Sequence, residues 1–171
     1  MFELIARVQD FLETGGDVLL LIMGVTFFMW LLIIERVWYF RWQHPRERGR
    51  VLSTWQERSD QNSWHAYQIR RLIISQVQIQ LEQGLPLIRT LVAICPLLGL
   101  LGTVTGMIEV FDVMAVAGNG NARAMASGVS KATIPTMAGM VAALSGMVIS
   151  VQMDRYAREE GERIADHLTH V

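Results

Sequence analysis

The sequence predicts an all-α integral membrane protein with three transmembrane helices and long cytoplasmic helical extensions, its amino terminus outside and its carboxyl terminus inside. Three observations lead to this fold class. Of the 171 residues, 51% are hydrophobic and 18% are charged, whereas an average soluble domain has about 25% charged residues. Three long runs contain no charged side chain. Arginines are concentrated in the connection between the first two runs and scarce in the connection between the last two.

The uncharged runs are residues 18–34, 90–108 and 132–152. At 1.5 Å per residue the shortest run covers roughly 26 Å, close to a hydrocarbon core of about 30 Å. A buried helix of a soluble bundle is the alternative, but such a helix normally alternates apolar and polar faces. Aromatic residues follow the first run, as in the interfacial belt of a membrane protein. They are Trp38, Tyr39 and Trp42.

The segment before the first run is expected to form a short amphipathic helix on the membrane surface. It is expected to break at Gly15-Gly16, and a frayed tail is the alternative. Acidic residues outnumber basic ones here, so removal as a signal peptide is not expected. The apolar residues at helical spacing are Phe2, Ile5, Val8 and Leu12.

Orientation follows from the arginine and lysine residues, which favour the cytoplasmic side of a membrane. The connection 41–89 contains eight arginines, whereas 109–131 contains only Arg123 and Lys131. This places the amino terminus outside, and three spans then leave the carboxyl terminus inside. Three arginines of the final segment agree with that assignment: Arg155, Arg158 and Arg163.

The long connection is expected to be mostly helical after turns at 44–50 and 59–62. An interruption is expected near Gly84 and Pro86. The helical stripe of this connection contains Trp64, Tyr67, Arg71, Ile74 and Gln78, with Ile73 and Val77 beside it. The carboxyl-terminal segment carries opposite charges at spacing four, which suits a solvated helix. A turn is expected at 118–123. The expected division is thus 1–16, 18–40, 41–89, 90–111, 112–131, 132–152 and 153–171, all within one membrane domain.

The second and third spans are rich in small residues, unlike the first. Gly102 and Gly106 form a GxxxG spacing that permits close approach of two helices. Helix packing is therefore predicted at Pro96, Gly99, Gly102, Gly106 and Gly139.

Hydroxyl groups at membrane depth are the candidate polar site, above all Thr103 and Thr136. The alternative is that each bonds a carbonyl one turn earlier in its own helix. Neither of the last two uncharged runs contains Asp, Glu or His. An acid that carries a proton would therefore have to come from a partner protein.

Other chemistry has no support in the sequence. The net charge of -1 argues against a nucleic-acid binder, and the single cysteine excludes an intramolecular disulfide. The four histidines lack metal-ligand spacing, so no metal or cofactor is expected. The chain has no GxxxxGK[ST], GxSxG or HExxH motif, so it is not expected to be an enzyme.

Two blocks, LVAICPLLGLLGTVTGMIEVF at 91–111 and GVSKATIPTMAGMVAA at 128–143, resemble the MotA/TolQ/ExbB proton-channel family, most closely its short ExbB members. The resemblance implies a homopentamer in the bacterial inner membrane around single-pass ExbD helices, coupled to TonB. In this family, proton flow powers transport across the outer membrane. A TolQ-like role in envelope integrity and a noncatalytic membrane scaffold are the alternatives.

The resemblance also assigns residues. Thr103 and Thr136 match the family threonines that face the central pore. Relatives commonly carry an acid five positions before the second threonine, where this chain has Lys131. This difference implies that a membrane aspartate of the partner is the titrating acid. Lys131 is expected to anchor at the outer interface or to pair with an acid of the partner protein, and Glu109 and Asp112 are candidate partners within the chain.

Overall fold

A computed structural model describes residues 2–43, 49, 64–117 and 122–169. Four helices are described: α1 (Phe2–Trp38), α2 (Trp64–Glu82), α3 (Leu85–Ala117) and α4 (Ala122–Thr169), and a π-helical turn, Tyr39–Gln43, continues α1. The described residues include no strand, which confirms the all-α prediction. The turns expected at 44–50, 59–62 and 118–123 lie largely outside the described residues.

Helix α1 changes direction where the glycine pair was expected to break it. Gly16 has φ 65° and ψ −167°, whereas the residues on both sides are helical. A positive φ is unfavourable for residues with a Cβ atom, so glycine suits this position. The helix therefore breaks at the glycine pair, as the sequence predicts.

A second glycine separates α2 from α3. Gly84 has φ 80°, and its carbonyl accepts a hydrogen bond from the Ile88 backbone N–H at 3.2 Å. Pro86 follows in the first turn of α3, where its missing N–H is not needed. The interruption expected near Gly84 and Pro86 is therefore present.

Three parts of the described chain are helical, long and apolar enough to cross a membrane: Gly16–Trp42, Trp64–Ala115 and Met125–His167. Helix α4 has 48 residues, roughly 72 Å at 1.5 Å per residue, more than twice a hydrocarbon core of about 30 Å. The helix therefore extends well beyond its apolar section, as expected for the segment after residue 152.

The chain divides into two compact units. The first comprises Met1–Trp30 and Thr90–Met147. Its α1 residues at helical spacing are buried, namely Leu19, Ile22 and Met29. Val25 packs on a buried cluster formed by Cys95 of α3 and two small residues of α4, Ala142 and Ala143.

The second unit comprises Leu31–Arg89 and Val148–Val171. Here α2 packs its aliphatic face on the end of α4, where Ile164 is 1% exposed. Trp64 and Tyr67, placed on the stripe by the sequence, are exposed. The stripe predicts a helix, which α2 confirms, and the face that α2 buries begins at Ala66. It continues with Ile69, Ile73, Ile74 and Val77.

Two arginines of the second unit contact other elements. Arg36 of α1 donates from Nη2 to the backbone oxygens of Gln80 and Leu81, the latter at 2.8 Å. These carbonyls belong to the last turn of α2, where an α-helix lacks donors of its own. Arg89 pairs with Asp154 of α4 through two contacts, Nε–Oδ2 at 2.6 Å and Nη2–Oδ1 at 2.5 Å.

Aromatic and acidic side chains complete this unit. The Arg36 guanidinium lies 4.8 Å from the Tyr39 ring centroid, and Phe40 packs on Tyr156 with centroids 5.2 Å apart. The charged residues at spacing four in the tail of α4 are exposed, as the sequence predicts: Arg155, Arg158, Glu159, Glu162 and Arg163. Glu160 is only 4% exposed, and its Oε2 lies 3.5 Å from Nη1 of Arg163.

Candidate functional site

The candidate site lies in the first unit, where α3 and α4 pack antiparallel through small residues. Gly99 faces Thr136, Gly102 faces Pro135 and Gly106 faces Ala132. Cys95 faces Gly139 at one end of this series. We call these eight residues the small-residue seam.

The glycines of the seam allow the two backbones to touch. A Cβ atom added to Gly99 would lie 2.9 Å from the Thr136 Cα, and one added to Gly139 would lie 2.5 Å from the Cys95 carbonyl oxygen. Backbone atoms cannot rotate away as a long side chain can. In lipid, such close approach supplies the van der Waals contact that holds helices together.

Helix α1 also reaches the packed pair. A Cβ atom on Gly102 would lie 3.2 Å from a methyl carbon of Val18, and one on Gly146 would lie 2.5 Å from the Met29 sulfur. The first span therefore contributes packing to both α3 and α4. Its remaining large side chains are mainly exposed, as suits lipid contact, among them Leu20, Leu21, Phe27, Phe28 and Leu31.

Two prolines, Pro96 and Pro135, lie in the interior of α3 and α4. Pro96 and Pro135 have no N–H, so the carbonyls of Val92 and Lys131 lose their usual helical donors. The Pro135 ring occupies the space that a side chain at position 102 would need. Pro135 therefore both interrupts the hydrogen bonds of α4 and fills the seam.

Several hydroxyl groups of the two helices bond within their own helix. Thr103 Oγ1 donates to the Leu100 carbonyl at 2.7 Å, and Thr133 Oγ1 donates to the Ser130 carbonyl at 2.8 Å. Thr105 and Ser145 have the same kind of bond. This is the alternative that the sequence left open, and it holds for Thr103.

Thr136 is different. Its Oγ1 donates across the seam to the Gly99 carbonyl oxygen at 2.8 Å. The hydroxyl therefore links α3 to α4, and Thr136 is half-buried. Sequence reasoning selected Thr103 and Thr136 together, but their hydrogen bonds connect different parts of the molecule.

The charged candidates lie on the outside of the first unit. Lys131, Glu109 and Asp112 are all exposed, and no ion pair joins Lys131 to either acid. Among the described residues, no three or more His, Cys, Asp or Glu side chains form a group that could hold a metal ion. The described site is thus uncharged and formed by hydroxyls, carbonyls and small apolar groups.

Some contacts were missed by sequence reasoning. Gly128 packs on Val110, although it precedes the third uncharged run. Its spacing of four before Ala132 was the signal that could have found it. Arg36, Arg89 and Asp154 were also not singled out, because their partners are distant in sequence and no local pattern pairs them.

Comparison with known proteins supports a membrane channel. Residues 45–166 match the MotA/TolQ/ExbB proton channel family. The "Putative biopolymer transport protein ExbB-like 1" of Synechocystis sp. is 39% identical over 89 residues, covering 46% of this chain and 35% of the relative. ExbB-like 3 of the same organism is 33% identical over 66 residues, covering 37% and 31%.

The chain thus aligns with about a third of the length of these curated relatives. The family match, by contrast, covers more than half of the chain and includes the whole seam. With its three helices long enough to cross a membrane, the chain is a multi-pass membrane protein. It belongs to the MotA/TolQ/ExbB proton channel family.

Proposed function

We propose that this protein is the channel-forming subunit of a proton-driven motor of the ExbB–ExbD type. In this proposal it lies in the bacterial inner membrane, with the amino terminus outside, and works with TonB to energise transport across the outer membrane. The observation that carries the proposal is the uncharged α3–α4 seam, with its threonines, inside a chain of the proton channel family.

The absence of acids from residues 90–108 and 132–152 supports a second subunit. A proton path across a bilayer generally needs titratable groups at membrane depth. The single-pass ExbD-like partner supplies that acid as an aspartate. Threonine oxygens then serve as hydrogen-bonding groups along its path.

The outer faces of α3 and α4 support assembly into a larger complex. Large apolar side chains remain exposed on both helices, so lipid, further copies of the chain or partner helices must cover them. A homopentamer surrounding ExbD helices would use these faces. They include Leu97, Leu101, Ile108 and Phe111 of α3 and Met137, Val141, Leu144 and Val148 of α4.

Within this assembly, Thr103 and Thr136 line the proton pathway, and Lys131 lies at the outer interface with Glu109 and Asp112 nearby. Each proton that crosses a potential of 100 mV releases about 2.3 kcal/mol. Several crossings supply enough free energy to rotate or displace the enclosed helices.

Reconstitution tests the channel. The chain is co-purified with an ExbD-type partner and placed in liposomes under a pH gradient, and proton influx is followed with a trapped dye. Influx should need both proteins and should stop when the partner's membrane aspartate becomes asparagine. A noncatalytic scaffold would give no influx above that of empty liposomes.

Substitutions locate the pathway. Thr103→Val and Thr136→Val should each lower influx at least about tenfold, equivalent to about 1.4 kcal/mol, without dispersing the complex. Thr136→Ser should retain much of it because the hydroxyl remains. Thr133→Val is the matched control, since Thr133 is exposed and bonds its own helix. Unchanged influx in both test variants would contradict the assigned roles.

A TolQ-like role is tested separately by complementation. Cells that lack their own ExbB should regain TonB-dependent uptake when this chain is expressed with its partner. Restored detergent resistance in cells lacking TolQ, without restored uptake, would favour the envelope-integrity role instead.

A further inference from the structure

The Thr136 hydroxyl has one proton, and in this structure that proton is directed to the Gly99 carbonyl. A threonine hydroxyl has one donor and two acceptor lone pairs. While the bond across the seam is intact, a group that approaches Thr136 can therefore only donate to it. A protonated carboxyl group can do this, whereas an ionised carboxylate has acceptors alone.

We propose that Thr136 couples the protonation state of the partner's acid to the packing of α3 on α4. This inference rests on the proposed function, because it needs an acid in the pathway. The protonated acid donates to the Thr136 oxygen and leaves the bond to Gly99 in place. The ionised acid attracts the hydroxyl proton, since a charge-assisted hydrogen bond is the stronger one, and the Gly99 carbonyl is released.

The released carbonyl is not left without a partner. Gly99 lies inside α3, so its carbonyl also accepts the helical N–H bond from Thr103, four residues later. Breaking the bond across the seam therefore frees α4 without opening α3. The Thr136 hydroxyl can therefore change its acceptor reversibly between the Gly99 carbonyl and the partner's carboxylate.

Thr103, Thr105 and Thr133 bond within their own helices, so their hydroxyls cannot have this effect. Redirecting the hydroxyl of Thr103 would break a bond within α3 and leave α4 unchanged. At the Gly99–Thr136 contact the backbones are so close that an added Cβ atom would lie 2.9 Å from the Thr136 Cα. A small separation of the helices there removes contact along the seam.

The chain has ionisable groups of its own, and their contribution to any pH dependence must be distinguished from that of the partner's acid. Three of these groups belong to the seam or adjoin a residue that contacts it: Asp17 next to Val18 on α1, Cys95 itself on α3, and Lys131 next to Ala132 on α4. None of them hydrogen-bonds to Thr136 in the described structure. The chain without its partner carries all three, so it measures their contribution directly.

Isotope-edited infrared spectroscopy tests the proposal. The chain is labelled with carbonyl-¹³C glycine, co-purified with an ExbD-type partner, reconstituted and measured at pH 5 and pH 8. Fourteen glycines carry the label. For each protein, the spectrum at pH 5 is subtracted from the spectrum at pH 8. Subtracting the result for Thr136→Val from the result for the wild type then isolates the Gly99 carbonyl. Its band should move to higher frequency at pH 8, because a carbonyl that loses a hydrogen bond absorbs at higher frequency.

The controls separate the two proposals. The shift should be retained in Thr133→Val and Thr136→Ser. It should be absent without partner and with an asparagine in place of the partner's aspartate. Proton influx with no Thr136-dependent shift overturns the coupling and leaves the proposed function standing. No influx with the acid-bearing partner overturns the proposed function, and the coupling with it.

Discussion

The two units of this protein are packed by opposite means. In the first unit, α3 and α4 meet through glycine, alanine and proline, and backbone atoms come into contact. In the second unit, branched aliphatic side chains of α2 pack on α4, and arginines bind a carboxylate and the carbonyls at a helix end. One chain therefore contains both the packing typical of membrane helices and that typical of water-exposed helices.

The difference follows from the solvent that each kind of packing competes with. Lipid tails are as apolar as leucine, so burying large side chains gives little net gain there, and close backbone contact takes its place. In water, burial of apolar area drives packing. A glycine of the small-residue seam should consequently be required, whereas a glycine within a helix of the second unit should be replaceable. An arginine contact should matter in the second unit alone.

The largest effect is expected at Gly139. In Gly139→Ala the new Cβ would lie 2.5 Å from the Cys95 carbonyl oxygen and 3.2 Å from the Gly99 Cα. Both are backbone atoms, so the helices must separate, at a cost of about 3 kcal/mol. Thermal unfolding in detergent should show a lower midpoint.

Gly24→Ala is the matched control. Gly24 lies in an apolar part of α1 and has no atom within 4 Å of an added Cβ, so the same substitution should leave the midpoint unchanged or raise it slightly. Equal midpoints for the two variants would mean that the close approach at Gly139 does not hold the unit together.

A smaller loss is expected at Arg36 in the second unit. Arg36→Ala removes the guanidinium that donates to the Gln80 and Leu81 carbonyls, so the last turn of α2 loses these two hydrogen bonds. Hydrogen bonds from charged groups contribute about 1.5 kcal/mol or more. Hydrogen exchange should become faster in the last turn of α2 and remain unchanged in α3.

Arg36→Lys should recover part of the protection, because lysine keeps the charge at the helix end but not the planar donor group. Arg41→Ala is the control, since Arg41 is an exposed arginine of the same region. The comparison of the two units would fail if both alanine variants had the same exchange rates in α2.

The smallest effect, a gain, is expected at Gly161. A Cβ atom there would lie 3.9 Å from a methyl carbon of Leu81, an ordinary van der Waals contact. Gly161→Ala should therefore stabilise α4 by about 0.5 to 1 kcal/mol through helix propensity. The unfolding midpoint should rise, opposite in sign to Gly139→Ala. A decrease would show that glycine is needed in this unit too.

Several features could be predicted from local sequence because their causes are local. Gly16 and Gly84 end helical segments through a positive φ that glycine adopts readily, and an uncharged run identifies a span by composition alone. The buried face of α2 could not be predicted from the sequence, because which of several adjacent apolar residues is buried depends on the shape of the helix it meets.

The sequence by itself determined the number of apolar spans, the breaks between helices, the small-residue character of the last two spans and the absence of acids from them. Only the tertiary structure decided which residues meet: Gly99 with Thr136, Arg36 with the end of α2, and Arg89 with Asp154. The physical reason is that composition and periodicity act within one helix, whereas a hydrogen bond between helices depends on their mutual register. Thr103 and Thr136 look alike in sequence, and their different acceptors distinguish them.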